Sequence, residues 1–445
     1  MGSKATVMDL STRASLLSAR GERIEAETNK VEMWKVIQDL WDPKDNPNGY
    51  VSLGMAENWL MRKQISQHIK DNFDPPGAAF TYGDGPTGSR RLKEAVAKFV
   101  THNFATYTEV KPEHVSMTNG TSAALEHLSF ALADAGDVFV LGRPYYGNYE
   151  PDYTWRFDAD LHKVKFDKDD DRFDENCVKI YEDAIKDAIK DASGKKKKVA
   201  GLVLCHPHNP LGRCYPRHVI VELMKLCQRY EIHFISDEIY ALSTWENKID
   251  KSPPPVPFES ALSINTDGII DGHRVHVIWG MSKDFGANGI RVGALISQYN
   301  IDLHKALVAV GLYTSVSSLS DYVSVKLLED EDWLQSYFPE NQRRLSDSFT
   351  KMARWCQNNG INYAKGVTAG FFIWVDLGTK YREKHQVDPS QDITELILEA
   401  LKKKKVFLAS GRDFGSEKQG WFRIIFSVSD YYLFEGLKRI IEALQ

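Results

Sequence analysis

The sequence predicts an α/β fold, and two observations carry that expectation. Apolar runs of strand length recur along the chain and alternate with stretches whose apolar residues return at helical spacing. Several of the strand-like runs also end in turns bearing polar or charged side chains, where open α/β sheets hold their ligands.

Along the chain, spaced apolar residues predict helices at about 89 to 101, 121 to 133, 216 to 230 and 392 to 404. The second opens in Thr118-Asn-Gly-Thr-Ser122, where Gly120 permits close approach and the free amides of the helix start favour an anion. Thr121 and Ser122 are the candidate hydroxyl ligands there. The run Val199-Ala-Gly-Leu-Val-Leu-Cys205 reads as a strand entering a turn that carries Asn209, and Ile232-His-Phe-Ile-Ser236 as a strand delivering Asp237 and Tyr240. Val275-His-Val-Ile-Trp279 is another, ending in a turn with Ser282 and Lys283. A lysine at a strand end, followed eight positions later by Arg291 among glycines, can hold an aldehyde as a Schiff base while its neighbours hold a phosphate. Pyridoxal 5'-phosphate (PLP) has both groups. Near the end, Gly420-Trp-Phe-Arg-Ile-Ile-Phe426 alternates like a strand and carries Arg423, whose planar guanidinium can clamp a carboxylate through two parallel hydrogen bonds.

The segment from Trp279 to Gly293 resembles the cofactor-lysine motif of the fold-type I PLP enzymes, the aspartate aminotransferase superfamily. The resemblance implies a large domain at about 62 to 310, with a mostly parallel sheet of the seven-stranded type between helices. Residues 311 to 445, joined by part of the N-terminal arm at 1 to 61, form a smaller α+β domain. The implied cofactor is PLP, with Lys283 on the aldehyde, Ser282 and Arg291 at the phosphate, Asp237 at the pyridine nitrogen, and Asn209 and Tyr240 donating to the ring oxygen O3'. A buried carboxylate beside the ring nitrogen favours its protonated form, which suits the ring to accept electrons. Arg143-Pro-Tyr-Tyr-Gly-Asn148 is similar to the family's P-x-aromatic element, so Tyr146 is the ring expected to stack on the cofactor. Arg423 falls where the family grips the substrate α-carboxylate. The family is dimeric, and a homodimer with shared active sites is expected.

Within that superfamily, the run from Asn46 to Gly54-Met-Ala-Glu-Asn58 resembles the signature of 1-aminocyclopropane-1-carboxylate (ACC) synthase-like proteins, and the likeness extends from about residue 41 to 427. It implies an amino-acid lyase with S-adenosylmethionine as a candidate substrate. Glu57 then lies at the substrate, where a carboxylate near a sulfonium would orient the leaving group. Three positions depart from the pattern: Pro86 replaces a tyrosine, Pro151 an arginine, and Gly280 the serine three before the lysine. Tyr82 is the nearby tyrosine that would instead reach the partner subunit's phosphate. Transamination to a keto acid is the alternative enzyme reading, because it begins with the same lysine, aspartate and arginine. Elimination at Cβ, including carbon–sulfur cleavage of a cysteine conjugate in secondary metabolism, is a further lyase reading. A catalytically silent binding relative is argued against by the intact Lys283, Asp237 and Arg423.

Composition bounds the rest. With 445 residues, 42% of them hydrophobic, the chain can bury a large core. A formal net charge of −5 implies no generic attraction to nucleic acid or membrane. No run approaches a membrane span and the first six residues lack a signal-peptide core, so a cytoplasmic protein is expected. Gly2 with Thr6 is a weak match to a myristoylation pattern. Cys177, Cys205, Cys214, Cys227 and Cys356 are odd in number and scattered, as free thiols in a reducing compartment are. Cys205, His206, His208 and Cys214 overlap the Asn209 turn and lack tetrahedral-site spacing, so no metal is expected. The lysine runs at 195 to 198 and 402 to 405 read as solvated helix ends or loops.

Overall fold

The computed structural model describes residues 16–29, 31–190, 197–388 and 390–445. Gly2, Thr6, Lys195 and Lys196 lie outside the described residues. The chain forms two units, 1–50 and 51–445. In the first, helices Ala19–Asn29 and Met33–Ile37 precede a turn capped by Asp42, whose Oδ1 accepts from the amides of Lys44 and Asp45 at 2.8 and 2.9 Å.

At the centre of the second unit is a seven-stranded sheet in the spatial order Val115–Asn119, Val292–Ile296, Val275–Gly280, His233–Asp237, Val199–Cys205, Val138–Gly142 and Asp160–Val164. Strand Val292–Ile296 runs against both of its neighbours, and the other pairings are parallel. Every residue of Val199–Cys205 is buried, the pattern of a central strand covered on both faces. The four expected helices are Arg90–Asn103, Thr121–Leu132, Arg217–Arg229 and Ile393–Lys403, their ends within two residues of the sequence expectation. Arg217–Arg229 buries Val219, Ile220, Leu223, Met224, Leu226 and Cys227 along one face, as its apolar spacing requires. Arg90–Asn103 starts at Ser89, whose hydroxyl accepts from the amide of Leu92 at 3.0 Å.

A second, antiparallel sheet has the order Ala409–Ser410, Trp421–Ile425, Phe372–Asp376 and Asn362–Tyr363. The long helix Glu331–Asn358 and the helix Asp430–Leu444 belong to the same stretch of chain. The mixed α/β architecture is that of fold type I. Among the described residues, no helix is long and apolar enough to cross a membrane.

The strand that leads to Lys283 rests on an aromatic cluster. Trp279 is fully buried, stacks on Phe99 at 5.0 Å between ring centroids, and meets Phe104 and Phe285 edge-on at 6.2 and 6.3 Å. Emptying the Phe99 site should therefore cost about 3–5 kcal/mol. Phe99→Ala is expected to unfold at clearly lower denaturant concentration than the wild type. An unchanged midpoint would show that this cluster does not support the sheet.

Candidate active site

Parallel strands deliver their last residues to one edge of the sheet, and the reversed strand Val292–Ile296 delivers its first. Asp237 ends its strand level with Cys205 on one side and Ile278 on the other. Val292 pairs with Asn119 and Gly293 with Gly280. Arg291, one residue earlier, therefore arrives beside Gly120 at the start of helix Thr121–Leu132. The fit is close: a Cβ on Gly120, whose φ is +78°, would lie 2.2 Å from Arg291 Nη2. One on Gly293 would lie 2.5 Å from the Gly120 carbonyl carbon. Arg291 donates to the carbonyls of Asn288 and Asn119 at 3.0 and 3.4 Å. Its guanidinium and the free amides of the helix start make an anion cradle, with Thr121 and Ser122 in the first turn.

Asp237 is buried, and its carboxylate accepts from the Tyr149 hydroxyl at 2.7 Å and the Ile239 amide at 3.3 Å. Burial pushes its carboxyl up to about 6, while those two donors and the charge of Lys283 pull it down. Lys283 donates to the Ala56 carbonyl at 2.7 Å. Burial, reinforced by Arg423 and Arg291, lowers its ammonium to about 7 against the pull of Glu57 and Asp237. An amine so tuned is substantially neutral, hence nucleophilic, at physiological pH. Arg423 donates to Asn209 Oδ1 at 3.0 Å and to the Gly54 carbonyl at 2.8 Å. Its guanidinium carbon lies 4.7 Å from the Phe414 ring centre and 5.3 Å from that of Phe372, and its buried Nε has no hydrogen-bond partner. Tyr240 is buried against Phe371 and Phe372, Tyr146 meets Tyr149 edge-on at 5.3 Å, and Ser282 is buried beside Lys283.

Three further predicted residues have these surroundings. Tyr82 is fully exposed on the single chain. Ser122 lies near the Asp152 carboxyl, which burial raises well above its ordinary range against the pull of that hydroxyl. Glu57 is not a bare acid: its Oε2 accepts from Arg62 at 2.7 Å and from Trp59 Nε1 at 2.9 Å. Gly280, where the family motif has serine, proves to be closed to a side chain. A Cβ there would lie 2.8 Å from the Val292 carbonyl oxygen and 3.1 Å from Thr121 Cγ2. The residue that sequence reasoning missed is Tyr149, whose only signal is its spacing from Tyr146 before, and Tyr153 within, the short helix Tyr149–Thr154. His206 is bonded to the Glu259 carbonyl at 3.0 Å and the Tyr215 amide at 3.2 Å, and the five cysteines are buried. Among the described residues, no three His, Cys, Asp or Glu side chains group to hold a metal.

A phosphate cradle, a buried carboxylate and a depressed amine lie at one sheet edge, and the buried guanidinium of Arg423 reaches Asn209 from the second sheet; together they are the set PLP and an amino acid require. The family model of class I and II aminotransferases matches residues 53–440. The chain belongs to this family. It is a family of fold-type I enzymes whose cofactor is PLP. The chain is 31% identical over 443 residues to 1-aminocyclopropane-1-carboxylate synthase-like protein 1 of Homo sapiens, covering 98% of this chain and 84% of that one. It is 30% identical over 434 residues to the probable aminotransferase sirI of Leptosphaeria maculans, covering 96% and 98%. Aspartate aminotransferase of Thermus thermophilus with maleate superimposes with a TM-score of 0.69 at 18% identity, covering 97% of this chain and all of that one (100%), a likeness of fold.

Two outcomes follow from the geometry. Tyr149→Phe removes a donor worth about 1.5–3 kcal/mol to a buried carboxylate, so the Asp237 pKa should rise by about 1–2 units. The carboxylate is then lost at higher pH on acidification, and the acid-side midpoint for loss of bound-cofactor absorbance should move up with it; a midpoint that stays put would refute the coupling. Gly280→Ser should weaken PLP binding, because overpacking costs about 1–3 kcal/mol. Tighter binding by this variant would mean that the position merely lacks a hydroxyl.

Proposed function

We propose that this protein is an ACC synthase-like PLP lyase that cleaves a side-chain bond, a carbon–sulfur bond first among candidates, of an α-amino acid. The observation that carries this reading is Glu57, held by Arg62 and Trp59 yet close enough for its charge to act on Lys283. When bound, PLP supplies a ring that accepts the electron pair left at the substrate Cα. Arg423 clamps the α-carboxylate, using the edge that carries its unpartnered Nε. Asp237 keeps a proton on the ring nitrogen, with Tyr149 holding the carboxylate ionised. Asn209 and Tyr240 donate to the ring oxygen, and Tyr146 covers the ring. Gly120, Thr121, Ser122, Ser282 and Arg291 hold the phosphate. Lys283 would hold the aldehyde carbon until the substrate amine displaces it, and its freed amine would then take the Cα proton. Glu57 faces the departing group, where its negative charge favours a sulfonium.

Aminotransfer is the second reading, favoured by the likeness to a probable aminotransferase and by Pro86 and Pro151. S-adenosylmethionine, cysteine conjugates, and amino acids paired with keto acids are the substrates that separate the two, with products identified by mass. Release of a side-chain fragment supports the lyase. Steady exchange of amino and keto groups with no fragment released from any substrate overturns it.

A homodimer in the cytoplasm is the assembly this reading requires. Phe80, Tyr82, Leu312 and Tyr313 are 71%, 101%, 69% and 82% exposed. Leu312 and Tyr313 adjoin Thr314, whose carbonyl accepts from Asn119 beside the phosphate cradle at 2.8 Å. A partner covering these residues would bring Tyr82 to its neighbour's phosphate.

Borohydride reduction of the PLP-bound protein, followed by peptide mapping, should leave the pyridoxyl group on Lys283. Recovery on a different lysine would overturn its assignment. Arg423→Ala should raise the amino-acid KM by about 10–100-fold, the equivalent of about 1.5–3 kcal/mol, with the cofactor spectrum retained. An unchanged KM would remove Arg423 from the substrate.

A further inference from the structure

Lys283 lies in a helical turn of four residues, Met281–Asp284, too short to fix its own orientation. The residue that follows it, Asp284, is completely buried. Its carboxylate gathers three hydrogen bonds from outside that turn. Oδ2 accepts from Trp279 Nε1 at 3.0 Å and from the Leu242 amide at 3.2 Å, and Oδ1 accepts from the Ser243 hydroxyl at 2.7 Å. Trp279 belongs to the strand that enters the turn. Leu242 and Ser243 follow Tyr240 on the segment that leaves Asp237.

The Asp284 backbone is tied in the opposite direction. Its carbonyl accepts from Asn341 Nδ2 at 3.4 Å, and Asn341 Oδ1 accepts from Asn58 Nδ2 at 2.8 Å. Asn58 stands two residues after Ala56, whose carbonyl receives the Lys283 amine. Gly286 closes the same packing, because a Cβ there would lie 2.7 Å from the Asn58 carbonyl oxygen. The contacts form a ring: Lys283 to Ala56, along the chain to Asn58, across Asn341, and back to Asp284. A buried carboxylate is costly unless donors converge on it, and here they converge from two segments of the site at once.

We propose that Asp284 is a positioning residue that locks the Lys283 amine against the Ala56 carbonyl and holds it in register with the segment carrying Asp237 and Tyr240. The inference rests on Lys283 being the amine that reacts with PLP. It makes Asp284 and Asn341 the parts that fix where that amine stands before cofactor arrives.

The test uses the full chain freed of cofactor, methylated reductively with formaldehyde and cyanoborohydride across pH, with Lys283 followed by peptide mass spectrometry. In the wild type the midpoint should lie near 7, since burial, Arg423 and Arg291 lower it while Glu57 and Asp237 raise it. In Asp284→Asn the amine leaves its half-buried position against Ala56, and the midpoint should rise by about one unit or more toward the ordinary lysine value. The sign separates positioning from charge. Burial holds the Asp284 carboxyl itself near 7, and removing whatever negative charge it carries would move Lys283 down. Ser243→Ala, which deletes one of the three donors, should shift the midpoint upward by less. Asp250→Asn, at a buried acid bonded to Tyr363 rather than to the lysine turn, should leave it alone. A midpoint that is unchanged or lower in folded Asp284→Asn overturns the proposal. If that variant does not fold, an unchanged midpoint in Ser243→Ala overturns it. Borohydride labelling at some other lysine would instead defeat the cofactor assignment, and this midpoint would still be measurable.

Discussion

The site depends on one close crossing of backbone. Gly120 ends the loop after strand Val115–Asn119, Gly293 begins the reversed strand, and Gly280 faces it from the next strand over. None of the three has room for a Cβ without a contact of about 3 Å or less. Removing the side chains lets the helix start descend onto the sheet edge, so its amides and the Arg291 guanidinium face the same space. Reversal of a single strand is what makes this work. Run parallel to its neighbours, Val292–Ile296 would deliver Arg291 to the far end of the sheet, away from Asp237 and Lys283.

The cradle brings a second problem, which is charge. Lys283, Arg423 and Arg291 are cations around one cleft, with Asp237 and Glu57 as acids. Burial acts on them in opposite senses, lowering the lysine to about 7 and raising the aspartate to about 6. Small contacts therefore bear on the charge of each. Tyr149 tips Asp237 toward the ionised form through one hydrogen bond. The neighbouring arginines tip Lys283 toward the neutral one. Asn209 touches Arg423 at 3.0 Å, so the side chain assigned to the ring oxygen also senses the side chain assigned to the carboxylate.

How much of this was legible in the sequence follows from what each residue needs in order to act. Lys283, Asp237 and Asn209 sit at strand ends within a few residues of an apolar run, so local pattern alone locates them. Gly120 and Arg423 are likewise marked by what adjoins them. The helix bounds were close because the apolar faces are strongly periodic, as in Arg217–Arg229. Tyr149 was not legible, since its hydroxyl meets a carboxylate 88 residues away and its ring would suit any core. Asn341 is beyond reach in the same way, bonded to Asn58 across 283 residues. The carbonyls of Gly54 and Ala56 leave no trace in side-chain identity. That Gly280 has no room for a side chain was not legible, because its packing against Val292 and Thr121 exists only in three dimensions.

Glu57 remains the residue on which the choice of chemistry turns. Binding of PLP, capture of the carboxylate and loss of the Cα proton draw on Lys283, Asp237 and Arg423, and these steps are common to elimination and transfer. What differs is whether something at Cβ or Cγ can leave. The Glu57–Arg62 pair is solvent-exposed on both sides, with side chains 38% and 50% accessible, and such pairs hold weakly. A sulfonium entering the cleft would compete with Arg62 for the same carboxylate at little cost, exchanging one cation for another. An uncharged side chain offers Glu57 no such exchange, so Arg62 would keep it. On the proposed lyase reading the ion pair would filter the substrate's side-chain charge rather than take part in the proton path, and so would distinguish substrates that Lys283 and Arg423 treat alike.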